Sequence, residues 1–246
     1  MIRLSVNVNK VAALRNSRGG SVPSVLEAVH ACLDAGAAGI TVHPRADARH
    51  ISPADVREIA RELSLLKGRI EYNIEGDPRP DLLRLVHEVR PDQCTLVPVR
   101  PGEVTSQAGW STDTPPEALE RVIRELKDAG IRVSLFVDPA EAAIGWAADR
   151  GADRVELYTE PFAWAFERGA AAARQSFAKY AIAADLAASL RLGVNAGHDL
   201  DLHNLVLFRT LPHLAEVSIG HALVSHALFA GIARSVREYL DVLAGP

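Results

Sequence analysis

The chain has only two cysteines, Cys32 and Cys94, and neither stands at metal-finger spacing, which excludes a disulfide framework. A reducing cytoplasm is the natural setting. Long apolar runs are also missing. Met1-Ile2-Arg3-Leu4-Ser5-Val6-Asn7 lacks the apolar core of a secretory leader, and no later stretch approaches the roughly 20 apolar residues of a membrane span. No charge sign dominates either. Lys plus Arg total 27 against 31 Asp plus Glu, a net charge of −4 with no run of one sign. That balance argues against a nucleic-acid or membrane-surface binder, while a few local cations can still hold small anions. No Gly-x-Gly-x-x-Gly follows any candidate strand, and no Pro/Gly-rich linker divides the 246 residues. The first absence weighs against an open dinucleotide-binding sheet, the second against two domains.

What is present is a repeated alternation. Short β-rich runs occur at Arg3–Val8, Gly39–His43, Arg69–Ile74, Gln93–Val97, Arg132–Val137, Arg154–Tyr158, Gly193–Ala196 and Ala215–Ile219, eight in all. Between them lie helical periodicities such as Val25-Leu26-Val29-Cys32-Leu33 and Leu119-Val122-Ile123-Leu126. Ala35-Gly36, Ala129-Gly130, Arg150-Gly151 and Leu192-Gly193 each place glycine where a helix should end in a left-handed residue. Eight βα units in this length predict an α/β fold, a (β/α)8 TIM barrel, as a single domain over 1–246. Two connections exceed its needs. The alanine-rich stretch Thr159–Leu192 predicts an extra helix between strands six and seven, and Val99–Pro116 is long enough to read as an active-site lid, with Trp110 giving it ordered packing.

Active sites of such barrels stand at the C-terminal ends of the strands. Here the alternation Ser5, Asn7, Asn9 and Glu71, Asn73, Glu75 turns polar side chains toward the barrel axis. Thr41, His43, Asp138, Glu156, Thr159, Asn195 and Ser218 mark the remaining ends. Buried carboxylates cost several kcal/mol unless paired, hydrogen-bonded or wet, so function is a sufficient reason to keep them. Gly197-His198 and Gly220-His221 follow strands seven and eight, the usual phosphate-binding loops of this fold. A second anion site is suggested by Arg18 and by His43-Pro44-Arg45 with His50. Together they imply small substrates carrying two phosphates. His43, His198 and Glu71 can supply proton transfer. They can alternatively bind zinc, although the neighbouring cations and the missing His-x-His spacing disfavour a metal.

Several segments, in order, resemble the pyridoxine 5'-phosphate synthases of vitamin B6 biosynthesis. They include Val6-Asn7-Val8 with Leu14-Arg15-Asn16-Ser17-Arg18-Gly19, Thr41-Val42-His43-Pro44-Arg45 with Arg49-His50-Ile51, and Leu96-Val97-Pro98 with Glu103-Val104-Thr105. They continue in Val133–Asp138, Val155–Thr159, Val194-Asn195-Ala196-Gly197-His198 and Ile219-Gly220-His221-Ala222. The resemblance implies condensation of 3-amino-2-oxopropyl phosphate with 1-deoxy-D-xylulose 5-phosphate to pyridoxine 5'-phosphate, phosphate and water. It implies Glu71 and His43 as proton acceptors and His198 as proton donor. Asn7, Arg18, Asp199, Gly220 and His221 would hold the aminoketone phosphate, and Arg45, His50 and Thr105 the sugar phosphate. No cofactor or metal is implied, no nucleic-acid or membrane partner, and the assembly would be a cytoplasmic homo-octamer. Asn9-Lys10 departs from the family's common Asp-His and reads as a variant way of holding the sugar phosphate. The run Asn73-Ile74-Glu75-Gly76 also departs from the usual form. Two rivals are a Schiff-base aldolase, which lacks a lysine on any strand, and a phosphate-ligand sensor, which leaves the proton-transfer groups unexplained.

Overall fold

The computed structural model describes residues 1–98 and 108–245. In chain order the elements are β1 (Arg3–Asn7), α1 (Asn9–Asn16), α2 (Val25–Asp34), β2 (Gly39–Val42), α3 (Pro53–Ser64), β3 (Glu71–Gly76), α4 (Pro80–Val89) and β4 (Gln93–Leu96). They continue as α5 (Pro116–Asp128), β5 (Arg132–Val137), α6 (Glu141–Asp149), β6 (Arg154–Tyr158), α7 (Glu160–Glu167) and α8 (Ala170–Ser189). The chain ends with β7 (Gly193–Gly197), α9 (Leu205–Phe208), β8 (Leu214–Ile219), α10 (His221–Ala230) and α11 (Ile232–Ala244). All eight strands are parallel and close into one barrel in sequence order, with β8 pairing β1. The (β/α)8 expectation therefore holds, and the extra helix between β6 and β7 is α8, preceded by the short α7.

The alternation sorts the core as expected. Leu4, Val6, Ile40, Val42, Ile74, Leu96, Val133, Leu135, Val155, Leu157, Val194, Val217 and Ile219 are buried between sheet and helices. Ser5, Thr41, Asn73, Thr95, Ser134, Asn195 and Glu216 are buried too, on the opposite face toward the axis. Ser5 and Thr41 hydroxyls lie 2.7 Å apart, and Thr95 Oγ1 donates to Asn73 Oδ1 at 3.0 Å, so these four residues satisfy one another, while Ser134 Oγ and Glu216 Oε2 are buried without a hydrogen-bond partner.

Two boundaries differ from the sequence reading. The third strand starts at Glu71 rather than Arg69, because a turn carried by Gly68 (φ +81°), with Arg69 and Ile70 N–H groups donating to Leu66 O, consumes the residues before it. At the end of α8 the left-handed residue is Arg191 (φ +64°), not the expected Gly193, which already begins β7. Of the proposed lid, 99–107 lie outside the described residues. Beyond them Trp110 is ordered as expected: its N–H donates to Phe136 O at 3.0 Å and its indole Nε1 to Leu96 O at 2.8 Å. Among the described residues no helix is long and apolar enough to cross a membrane.

Candidate active site

A cavity of about 520 Å³ opens at the C-terminal end of the barrel. Its lining includes Asn7, Asn9 and Lys10 from the first strand and its helix, His43, Arg45, Arg49 and His50 from the loop after β2, and Glu75 from β3. Glu156 contributes from β6, His198 and Asp199 follow β7, and Ser218, Gly220 and His221 come from β8 and the start of α10. Most of the residues expected at the strand ends are thus brought together.

Two histidine–carboxyl pairs dominate the chemistry. His43 Nδ1 stands 3.8 Å from Glu75 Oε2, and His198 Nδ1 stands 3.8 Å from Glu156 Oε1. In a closed barrel of eight strands in sequence order, the β2–β3 wall faces the β6–β7 wall, so the pairs confront each other across the axis. Burial drives all four groups toward their neutral forms. It holds His43 well below the ordinary imidazole range, helped by the charges of His50 and Arg45, and it brings His198 down to about 4. It raises Glu75 well above the usual carboxyl range, with Glu156 and Glu216 adding like charge, and it raises Glu156 to about 8 with Glu216 adding to it. Near neutral pH the site therefore offers unprotonated imidazoles beside protonated carboxyls, that is, proton acceptors beside proton donors.

The local structure holds each pair in place. The His43 backbone N–H donates to Asn9 Oδ1 at 2.9 Å, and Asn7 Nδ2 reaches Glu75 Oε2 at 3.5 Å. Gly197 leaves the room that the Glu156 carboxyl fills, since a Cβ there would lie 2.5 Å from Glu156 Oε1. His198 has φ +81°, unusual for a side-chain-bearing residue, and its ring packs 4.7 Å from Phe136 and 6.4 Å from Tyr158. His43 Nε2 and His198 Nδ1 are buried without a hydrogen-bond partner, so each has unused hydrogen-bonding capacity.

Anion-binding groups flank the pairs. Arg45 and Arg49 share the β2 side with the buried His50, which burial and the charges of Lys10 and Arg45 bring down to about 4. On the β8 side, the N-terminus of α10 opens at Gly220 and His221. Gly220 lets Asn7 approach closely there, since a Cβ would stand 3.0 Å from Asn7 Cβ and Asn7 O and press on both. Unpaired N–H groups at such a helix start favour a phosphate. Burial, with Glu160 nearby, raises Asp199 to about 6.

Three expected residues are not brought into this site. Glu71 lies at the first position of β3, level with Gly39 at the opposite end of the barrel. There its carboxylate pairs with Arg3 Nη1 at 3.1 Å and with Arg132 Nη2, so it is a buried ion-pair member and not a cavity group. Glu75, four residues on, occupies the place expected of Glu71. Arg18 is exposed beyond α1 and does not line the cavity. Thr105 lies outside the described residues. Glu75 and Glu156 were legible only as inward-facing polar positions. The signal that would have separated Glu75 from Glu71 was the strand boundary, shifted by the Gly68 turn.

Comparison with known proteins follows the same lines. Residues 4–245 match the family model described as pyridoxal phosphate biosynthesis protein PdxJ. A pyridoxine 5'-phosphate synthase of Porphyromonas gingivalis is 49% identical over 245 residues, covering 99% of this chain and all of that protein. One from Bacteroides fragilis is 50% identical over 244 residues with the same coverage. Among solved structures, phosphoribosyl anthranilate isomerase from Thermotoga maritima superposes with a TM-score of 0.63 at 16% identity over the full length of both chains, a likeness of fold alone.

Proposed function

The chain belongs to the PdxJ family of pyridoxal phosphate biosynthesis proteins, and on that footing we propose how its cavity performs the family's reaction. The activity is that of a pyridoxine 5'-phosphate synthase, joining 3-amino-2-oxopropyl phosphate to 1-deoxy-D-xylulose 5-phosphate and releasing phosphate and water. Such a ring closure is a series of proton transfers. Carbons beside carbonyl groups lose protons, and departing hydroxyl groups gain them. The observation that carries our assignment is the pair of 3.8 Å histidine–carboxyl couples facing each other across the axis.

In this reading His43 with Glu75 forms one proton-exchanging wall and His198 with Glu156 the other. A neutral imidazole takes a proton from carbon, and the adjacent carboxyl group returns one to oxygen, which suits groups held neutral by burial. Asn7, Gly220, His221 and the backbone through Asp199 would receive the aminoketone phosphate at the α10 N-terminus. Arg45 and His50, with Asn9 and Lys10, would receive the sugar phosphate. The carboxyl group that takes part in proton exchange on this wall is Glu75 in place of Glu71. Homo-octameric assembly in the cytoplasm is proposed on the family resemblance, with exposed Leu228, Phe229 and Trp164 offering apolar surface for contact. Sedimentation equilibrium tests the assembly.

The decisive experiment incubates purified protein with both phosphorylated substrates, without added metal, and follows pyridoxine 5'-phosphate by absorbance. Product is expected only when both are present. No product, or formation that stops with a chelator and returns with zinc, would overturn the reading.

A further inference from the structure

The loop after β2 carries His43, Arg45 and His50 into the cavity, yet helix α1 holds it from outside. Arg15, in the last turn of α1, makes a two-pronged ion pair with Asp55: Nη1 to Oδ1 at 2.5 Å and Nη2 to Oδ2 at 2.9 Å. The pair is shielded, with side-chain exposures of 15% and 8%. Asp55 in turn closes the start of α3, where its Oδ2 accepts from Ser52 N at 2.8 Å and Ser52 Oγ at 2.7 Å. Arg15 also donates through Nε to Asn16 Oδ1 at 3.0 Å, which fixes the Asn16 amide so that its Nδ2 donates to the His50 carbonyl at 2.7 Å. At its other end α1 begins with Asn9, whose Oδ1 accepts from His43 N. One helix is thus tied to both ends of the loop segment that bears the cationic groups.

We propose that Arg15, through Asn16 and Asp55, is a positioning device that sets where Arg45 and His50 meet the anionic group of the sugar phosphate. The inference rests on the functional reading above. Arg15 itself does not line the cavity. Its part is to keep the His50 carbonyl and the first turn of α3 at fixed places, so that the anion meets a preformed set of donors and does not have to order the loop on binding. Bidentate arginine–carboxylate geometry is suited to this because it fixes direction as well as distance. Loop ordering deferred to the binding step weakens affinity, since the ligand must then supply the ordering free energy. The effect is expected on one substrate, because the bonds made by Arg15, Asn16 and Asp55 end at the His50 carbonyl and at Ser52, on the sugar-phosphate side of the cavity.

The test compares Arg15→Ala, Arg15→Lys and Asn16→Ala with the wild-type enzyme under saturating concentrations of each substrate in turn. Asn16→Ala removes the link to the His50 carbonyl, with the Arg15 Nε bond that orients it, and leaves the two-pronged Arg15–Asp55 pair in place. We expect Arg15→Ala and Asn16→Ala to raise KM for 1-deoxy-D-xylulose 5-phosphate about ten-fold, the scale of a coupled contact. KM for 3-amino-2-oxopropyl phosphate and kcat should stay within about two-fold, and Arg15→Lys should recover part of the loss because it keeps a charge but not the fork. A KM for the sugar phosphate that stays at the wild-type value in Asn16→Ala overturns the proposal, as does a parallel fall in all constants across the set. If Arg15→Ala does not fold, Asn16→Ala decides alone. A wild-type enzyme that makes no product would instead overturn the functional reading, a separate outcome.

Discussion

At the scale of single residues, two glutamates on one strand have opposite fates, decided by four residues of register. Glu75 is buried at the cavity beside His43, whereas Glu71 is buried among guanidinium groups at the other end. Glu75→Gln is therefore expected to lower kcat by about 10²- to 10⁴-fold with little change in KM, the usual worth of a proton-transfer group. Glu71→Gln should keep kcat within a few-fold but lower stability, because it leaves Arg3 and Arg132 facing a neutral amide. The cost should fall between the ~1 kcal/mol of an exposed pair and the ~3–5 kcal/mol of a broken buried one. Steady-state rates and urea midpoints of the two variants, measured side by side, check this. Equal losses of kcat would show that both carboxylates serve the reaction. Lys10 is the other informative position. It lines the cavity on the side of His50 and lowers that imidazole's affinity for a proton. Lys10→Ala should raise KM for the sugar phosphate roughly 10- to 150-fold, matching about 1.5–3 kcal/mol for a charge-assisted hydrogen bond, and spare KM for the other substrate. Equal small changes for both substrates would place the lysine in solvent.

At the scale of elements, the strands were legible because alternation is strict: Leu4, Val6 and Ile40, Val42 face the helices while Ser5 and Thr41 face the axis. His43 and His198 were legible for the same reason, since each follows directly on a strand. What periodicity does not encode is where a strand begins after a turn, and Leu65–Ile70 were read partly as strand when they form the Gly68 turn. Alternation turns Glu71 and Glu75 to the same inward face and does not say which stands at the cavity end of β3, so the role implied by the family resemblance fell on Glu71. Glu156 was hidden differently. Its importance comes from His198, distant in sequence but at the end of the neighbouring strand, and from the absence of a side chain at Gly197, facts that appear only once β6 and β7 pair. This gives an element-level prediction. Gly197→Ala puts a methyl group 2.5 Å from Glu156 Oε1 and 2.9 Å from Ser218 O, so either the carboxyl turns away or β7 shifts against β8. Turnover should drop by at least ten-fold, as expected when a 1 Å displacement disturbs reacting groups. A variant with wild-type kcat would mean that the Glu156 position is not needed for the chemistry.

At the scale of the whole molecule, the barrel is unusual in what fills it. Interiors of this fold are commonly packed with branched apolar side chains, but here the axis carries Glu75, Asn73, Thr41, Thr95, Ser134, Glu156, Asn195 and Glu216, all buried. The protein accepts this polar column and recovers its stability outside it, in the apolar layer between sheet and helices. The column should make stability depend on pH in a definable way. Burial raises Glu156 from 4.5 to about 8, so between those values the native state holds a proton that the unfolded chain has released. Where the native state binds more protons, unfolding free energy falls as pH rises. The contribution of the protonated carboxyl is therefore fully present below about pH 4.5 and lost as pH climbs through about 8. The histidines act with the opposite sign: His198, brought from 6.5 down to about 4, makes the native state bind fewer protons in that interval, so its contribution grows as pH rises across it. These slopes oppose each other in wild-type protein, but the histidine part is shared by a Glu156→Gln variant and cancels in the comparison. Glutamine cannot ionise, so the variant should gain stability relative to wild type as pH rises from 5 to 9. Urea midpoints measured at both pH values decide it. A difference between the two proteins that does not change with pH would mean that Glu156 is already ionised in the native barrel at pH 5, and that the His198–Glu156 wall holds an ion pair in place of a neutral one.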